Sequence, residues 1–355
     1  MRQMRALVKD EAAPGFRLRE VPVPEPGPRD VLIRVHRAGI CGTDLHIYQW
    51  DAWAASRVRP VRVIGHEFAG VVAEVGAAVH HIRSGDRVSG EGHIGCGHCY
   101  CCRTGQGHIC DRVDILGIDV DGCFADYVVL PEQNVWPLRP EIGFDLGALH
   151  DPLGNAVHTV MAQPVAGQVV LITGCGPVGL LMISVARAAG ALLIIALDVN
   201  AARRSAGREM GADLALHPDE PATAATVLDR TRDGRGVDVL LEASGNVDGI
   251  HTGMRLLRSG GTASLLGLPS RPLSINLADE VIFKGITIHG INGRKMFETW
   301  YQVDAFLAHG SVEPERIVSH RVPLPEFQRA FNLLERGEAV KILLEIADAS
   351  SGGTA

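Results

Sequence analysis

Cys96, Cys99, Cys102 and Cys110 fall in one short stretch that also holds Gly92, Gly95, Gly97, Gly105 and Gly107. A segment of that size cannot bury a hydrophobic core, and four thiolates at this spacing suit tetrahedral zinc at ~2.3 Å with no open coordination position. Such a closed site contributes folding energy and no chemistry. Three cysteines occupy positions 99, 101 and 102; even spacing favours Cys99 and Cys102 as ligands, with Cys101 a bystander. Buried free thiols or a catalytic disulfide are the other readings of the cluster. The stretch has only Arg103 and Arg112 as fixed cations, against Glu91, Asp111 and Asp114, so it is not built as a nucleic-acid zinc ribbon.

A second pattern is Gly174-Cys175-Gly176-Pro177-Val178-Gly179, which follows the apolar run Val169–Thr173 and opens a small-residue helix. Between a strand and a helix this fingerprint binds a dinucleotide. Gly174 permits the tight turn, Gly176 lets backbone N–H groups approach a pyrophosphate, and Gly179 lets helix and strand pack closely. About 20 residues further on, where an acidic residue meets the ribose in such folds, Asp198 ends the next apolar run. Its carboxylate accepts from adenosine ribose hydroxyls and repels a 2′-phosphate, which favours NAD over NADP. Arg203 and Arg204 admit three readings: stacking over adenine and ribose, binding a 2′-phosphate, or facing water on a helix.

A third group is dispersed: Cys41 in Gly39-Ile40-Cys41-Gly42-Thr43-Asp44-Leu45-His46, then Gly65-His66-Glu67, then Asp151-Pro152. Each fragment alone matches an ordinary core residue. Together, at glycine-flanked strand ends, Cys, His and carboxylate describe a metal with an open position, the arrangement of catalytic zinc.

The elements that must position these groups separate into two patterns. Up to about Val135 the runs are short and strand-like (Ala6–Lys9, Arg17–Val21, Val31–His36, Glu67–Val75, Tyr127–Leu130) between Pro/Gly turns, which predicts a β-rich domain over 1–153 with the cysteine lobe at 92–114. From about Gly154 apolar strands (Val169–Thr173, Leu192–Leu197, Val237–Glu242, Thr262–Leu266) alternate with helical stretches (Val178–Ala189, Ala201–Met210), predicting a doubly wound parallel sheet over 154–296. Two amphipathic helices, Glu298–His309 and Pro325–Arg336, and a strand Lys341–Ile346 show no core of their own, so 297–348 is expected to pack back on the first domain. Residues 349–355 should form a frayed tail. The fold class is α/β.

Composition agrees. The chain has 355 residues, enough for about two domains, 46% of them apolar, and a net charge of −7 that argues against nucleic acid or another polyanion as partner. No uncharged apolar stretch approaches the ~18 residues of a membrane span, and no apolar signal segment opens the chain, so a cytoplasmic protein with reduced cysteines is expected.

Taken in order, Cys41-Gly-Thr43-Asp-x-His46, Gly65-His66-Glu67, the four-cysteine lobe and Gly174-x-Gly-x-x-Gly179 resemble the zinc-containing medium-chain alcohol dehydrogenases across nearly the whole chain. Four strings carry a narrower likeness, to the L-threonine 3-dehydrogenases of that family: His46-Ile-Tyr-x-Trp50-Asp-x-Trp53; Ser89-Gly-Glu91-Gly-His93; Asp151-Pro-x-Gly-Asn155-Ala-Val-His158-Thr; and Gly293-Arg294-Lys-Met-Phe297-Glu-Thr-Trp300-Tyr. Asn292 departs from the pattern, where an aromatic residue is expected.

The resemblance implies a Rossmann domain beside a β-rich GroES-like catalytic domain, one catalytic and one structural zinc per subunit, NAD as cofactor, and a homotetramer with strand pairing between subunits near 262–290. It implies zinc at Cys41, His66 and Glu67, with Asp151 as an alternative or nearby carboxylate. Thr43 and His46, at i and i+3 of one helical turn, become a proton relay. His93 becomes a pocket histidine bearing on substrate choice, its other reading being a hydrogen bond that anchors the lobe. Val178, Leu266, Gly267, Leu268, Ile291 and Asn292 become cofactor contacts beside Asp198 and Arg203. Trp50 and Trp53 are read as packing or as a substrate cage. The implied substrate is L-threonine, oxidised at its 3-hydroxyl; a polyol or 2,3-butanediol is the alternative.

Overall fold

A computed structural model describes residues 2–269 and 271–347. The expected tail at 349–355 lies outside the described residues. The chain forms two compact units: the residues up to Asp151 together with the chain from Val318 onward, and Pro152–Ile317.

The first unit is organised around the strand Asp30–Ile40, whose residues Val31, Ile33, Val35, Ala38 and Ile40 are all buried. Their apolar surface is what commits this segment to the centre of a sheet. It pairs antiparallel with Glu67–Val75, Tyr127–Pro131 and Lys341–Glu345. Arg87–Gly90 and Val135–Pro137 continue the sheet on one side and Val318–Pro323 on the other. A smaller sheet joins Arg17–Pro22, Gln3–Lys9 and Arg62–Val63. Phe68, Phe124 and Phe331 lie in the core of this unit. The chain from Val318 thus completes the first unit's sheet, and Lys341 arrives one register step from the strand end at Ile40.

The second unit holds six parallel strands in the order Leu214–Leu216, Leu193–Leu197, Val169–Thr173, Val237–Glu242, Leu257–Leu265, Thr287–Gly290. Strand order reverses beside Val169–Thr173, so the carboxyl ends of the central strands flank a switch point where such sheets bind ligands. Pro177 at the first turn starts the helix Pro177–Ala188. Asn200 and Asn246 cap Ala201–Glu209 and Val247–Leu256 through side-chain oxygens that accept backbone N–H groups.

The segment expected at 297–348 divides. The helix Glu298–Ala308 lies in the second unit, with Trp300 and Val303 buried, and the return to the first begins only at Val318. Amphipathic spacing states that a helix buries one face, not which domain receives it.

Candidate active site

In the cysteine lobe the strands His93–Ile94 and Asp114–Ile115 pair antiparallel and close the loop at its base. Thiol sulfurs of Cys96, Cys99, Cys102 and Cys110 lie within 4.8 Å of one another, while Cys101 is outside the cluster. Cys99 Sγ and Cys110 Sγ are 3.7 Å apart. Ligands at ~2.3 Å from a tetrahedral centre stand ~3.8 Å from each other, so the four sulfurs fit zinc. Backbone N–H groups already point at them: Cys102 donates to Cys99 Sγ, and Cys96 and Arg112 to Cys110 Sγ. Those from Cys102 and Asp111 hold the Cys99 thiol down to about 6, whereas desolvation pushes Cys102 up to about 12.

The dispersed group also converges. Cys41 follows the strand Asp30–Ile40 and caps the helix Gly42–Gln49. Gly65 turns the chain into His66 with φ +91°, where an added Cβ would strike the Phe124 ring. Antiparallel pairing sets Gly39 opposite Glu67, so two strand ends meet. Cys41 Sγ is 3.4 Å from His66 Nε2. Donor atoms of Cys41, Asp44 and His66 lie within 4.8 Å of one another, as do those of His66, Glu67 and Asp151. Asp151 comes from the first turn of His150–Met161. Glu67 and Asp151 are both buried. Buried carboxylates beside a thiol repel one another unless a cation lies among them, and sulfur, nitrogen and oxygen donors together suit zinc. The buried His66 Nδ1 and Asp44 Oδ1 have no hydrogen-bond partner among the described residues. Burial, reinforced by Asp44 and Glu67, pushes the Cys41 thiol well up, so a cation is what would ionise it.

Sequence reasoning missed the group opposing this. Lys341, itself buried, forms an ion pair with Glu67 Oε2 and donates to the Ile40 carbonyl at 2.9 Å. Burial raises the Glu67 carboxyl's proton affinity, and the Lys341 ammonium pulls against it.

The two histidines expected beside the metal, unlike His66, each have a carboxylate behind them. His46, at i+3 from Thr43 on the helix Gly42–Gln49, sets Nδ1 2.6 Å from Asp51 Oδ2. His93 sets Nδ1 2.8 Å from Oε1 of the fully buried Glu91, which also accepts the His93 backbone N–H. Trp50 and Trp53 pack against the first unit's core.

In the second unit, Gly174, Gly176, Asp198 and Arg203 line one cavity of about 360 Å³ together with Thr173, Ser244 and Asn246. Asp198 Oδ2 accepts the Cys175 N–H at 2.8 Å and Oδ1 the Asn200 N–H at 2.7 Å, so the acidic residue also braces the glycine turn. Arg204 donates to the carbonyls of Asp198 and Val199, leaving Arg203 as the arginine that lines the cavity. Gly179 packs so closely on the turn that a Cβ would meet the Gly174 carbonyl oxygen. Val178, Leu266, Gly267, Leu268, Ile291 and Asn292 do not line that cavity. The last five follow the carboxyl ends of Leu257–Leu265 and Thr287–Gly290, with Leu268 and Asn292 exposed. Under them the buried Glu242 accepts from the Ser244 and Gly245 N–H groups, and Gly267 fits against its carboxylate.

Residues 27–140 match the family described as the alcohol dehydrogenase GroES-like domain, and 177–309 match the zinc-binding dehydrogenase family. The chain is 47% identical to the L-threonine 3-dehydrogenase of Symbiobacterium thermophilum over 96% of its own length and 97% of that protein. It is 45% identical to the L-threonine 3-dehydrogenase of Pyrococcus abyssi, over 96% and 98%. The chain belongs to the zinc-containing medium-chain alcohol dehydrogenases. A zinc-binding dehydrogenase from Sinorhizobium meliloti 1021, solved bound to NADP, superposes with a TM-score of 0.89 at 30% identity, covering 98% of this chain and 100% of that one. Zinc and a nicotinamide cofactor therefore belong to this medium-chain dehydrogenase. Among the described residues no helix is long and apolar enough to cross a membrane.

Proposed function

We propose that the chain oxidises the 3-hydroxyl of L-threonine with NAD⁺, giving 2-amino-3-oxobutanoate, NADH and a proton. The observation that carries this reading is 45–47% identity, over nearly the full length, to L-threonine 3-dehydrogenases in a chain whose half-buried Cys41 and His66 meet the buried Glu67 and Asp151.

Cys41, His66 and Glu67 would hold the catalytic zinc, with Asp151 as the alternative carboxylate, and Cys96, Cys99, Cys102 and Cys110 the structural one. When bound, zinc supplies the Lewis acidity that makes a hydroxyl easier to ionise, and NAD⁺ accepts the hydride. Thr43 takes the hydroxyl proton, and His46, its neighbour one turn on, passes it toward solvent. His93, held by Glu91, shapes the substrate side. Asp198 supports NAD over NADP, because its fixed charge would face a 2′-phosphate. Val178, Leu266, Gly267, Leu268, Ile291 and Asn292 complete the cofactor contacts.

We infer a cytoplasmic homotetramer. Thiolate metal sites need a reducing compartment. The edge strand Thr287–Gly290, with Ile282 and Phe283 exposed just before it, offers a surface for strand pairing between subunits.

The test follows NADH formation by the zinc-loaded protein from L-threonine beside sorbitol and 2,3-butanediol, each with NAD⁺ and with NADP⁺. Threonine with NAD⁺ is the expected preferred pair. A clear preference for either polyol overturns the substrate, equal use of NADP⁺ overturns the Asp198 argument, and undiminished turnover after demetallation overturns the zinc chemistry.

A further inference from the structure

His46 and Asp51 meet because of an unusual turn. Trp50, at the C-cap of Gly42–Gln49, is left-handed with φ 55° and ψ 49°, a region non-glycine residues rarely adopt. Its ring is fixed by packing on the core and by the Lys9 ammonium 4.6 Å from its centroid. The turn brings the Asp51 N–H to the His46 carbonyl, and the Asp51 side chain comes under the imidazole. A strained backbone conformation that the surroundings hold in place is a common mark of a functional position.

Asp51 is also the N-cap of the helix Ala52–Arg57. Oδ1 accepts the Ala54 N–H at 2.9 Å while Oδ2 faces His46 Nδ1. Partial burial raises the Asp51 carboxyl, but the Ala54 N–H and the His46 ring outweigh it and hold it below the usual carboxylate range. An ionised carboxylate can only accept, so Nδ1 must carry the hydrogen and Nε2 is left with the lone pair. The other charged groups beside this turn are otherwise engaged. Lys9 lies over Trp50, Glu335 accepts from the Gln49 amide, and Asp44 accepts the Cys41 N–H.

We propose that Asp51 is a positioning residue that fixes the tautomer and orientation of His46, so that Nε2 is always the atom open to receive the substrate-derived proton. Asp51 does not take that proton. The proposal rests on the relay role assigned to His46 above.

Asp51→Asn tests it in the zinc-loaded enzyme. Asparagine caps a helix as well as aspartate does, so the helix Ala52–Arg57 should survive. Its amide can donate or accept, so the ring is no longer confined to one tautomer. Loss of a partner that orients a reactive group typically costs 10–100-fold, and the exposure of His46 puts the expected fall in kcat near the lower end, roughly 10-fold at neutral pH. KM for L-threonine and NAD⁺ should not change. The deficit should narrow at high pH, where the alcohol ionises without help. In a His46→Gln background Asp51→Asn should have no further effect. Asp51→Ser, which caps but cannot pair with the ring as an anion, should behave alike. Parent-level kcat in Asp51→Asn while His46→Gln is slow overturns the proposal alone, as does an equal additional loss in the His46→Gln background. Full activity of His46→Gln overturns the relay together with it.

Discussion

The two groups of the first unit proposed to hold zinc would obtain their thiolates in opposite ways. In the lobe all four cysteines lie within one loop, and backbone N–H groups converge on the sulfurs of Cys99 and Cys110. At Cys99, though not at Cys102, the loop favours anionic sulfur with little help from the rest of the chain. At the Cys41 site the ligands come from three separated segments, and burial with two neighbouring carboxylates holds the thiol protonated. Among the described residues the buried cation acting against this is Lys341, 274 positions from the glutamate it pairs with. A local site is thus supported by backbone dipoles, and an assembled one by a charge that the whole fold must deliver.

The largest expected effects come from breaking one site at a time. Cys99→Ser removes a ligand from a loop with no core of its own. Since structural zinc contributes ~10–16 kcal/mol in isolated zinc-finger peptides, losing one ligand should cost several kcal/mol and impair folding or assembly. Cys41→Ser should instead give a folded protein that keeps the lobe metal, loses the other and shows no turnover. Metal analysis beside thermal unfolding separates the two. Equal metal loss, or equal loss of stability, would dissolve the distinction.

A narrower test concerns the delivered charge. In Lys341→Met, metal-free protein would hold the Glu67 carboxylate buried without its cation, a defect that costs about 3–5 kcal/mol. Zinc at Glu67 replaces the missing charge, so the loaded variant should lose much less. Urea unfolding with and without a chelator measures both losses. If they are equal, the ammonium compensates something other than Glu67.

What was legible in the sequence divides along the same line. The strands Val169–Thr173, Glu67–Val75 and Val237–Glu242 occur at the expected bounds, because their apolar runs are ended by local turn residues. The thiol cluster and the glycine turn with Asp198 were readable for the same reason: spacing along the chain nearly fixes spacing in space. Lys341 was not, because only the pairing of Ile342 with Ile40 brings it to Glu67, and a final apolar strand carries no mark of its partner. Asp51 and Glu91 were missed although they stand five and two residues from the histidines they hold. Both lie inside strings that carried the resemblance. What turns their side chains back is local backbone geometry, the left-handed Trp50 for Asp51 and the His93 N–H donated to Oε1 of Glu91.

The smallest expected effect tests whether the assembled site inherits the weaknesses of its sheet. His36 lies on the strand that leads into Cys41, stacked on Phe144 at 4.4 Å and buried, with Nδ1 lacking a hydrogen-bond partner among the described residues. Desolvation, aided by Arg34, Arg37 and Arg87, lowers its pKa to about 4 from 6.5. The unfolded chain therefore binds this proton as pH falls below about 6.5, while the folded chain resists it until about 4. Stability is lost progressively across that window as pH falls, and levels off below it. His36→Leu removes the proton and keeps an apolar side chain against Phe144. Its urea midpoint relative to the parent should rise steadily from pH 6.5 to pH 4, by an amount equivalent to roughly 1–3 kcal/mol. A difference that does not vary with pH would show that the folded ring takes up its proton as readily as the unfolded one, and that the strand feeding Cys41 tolerates that charge.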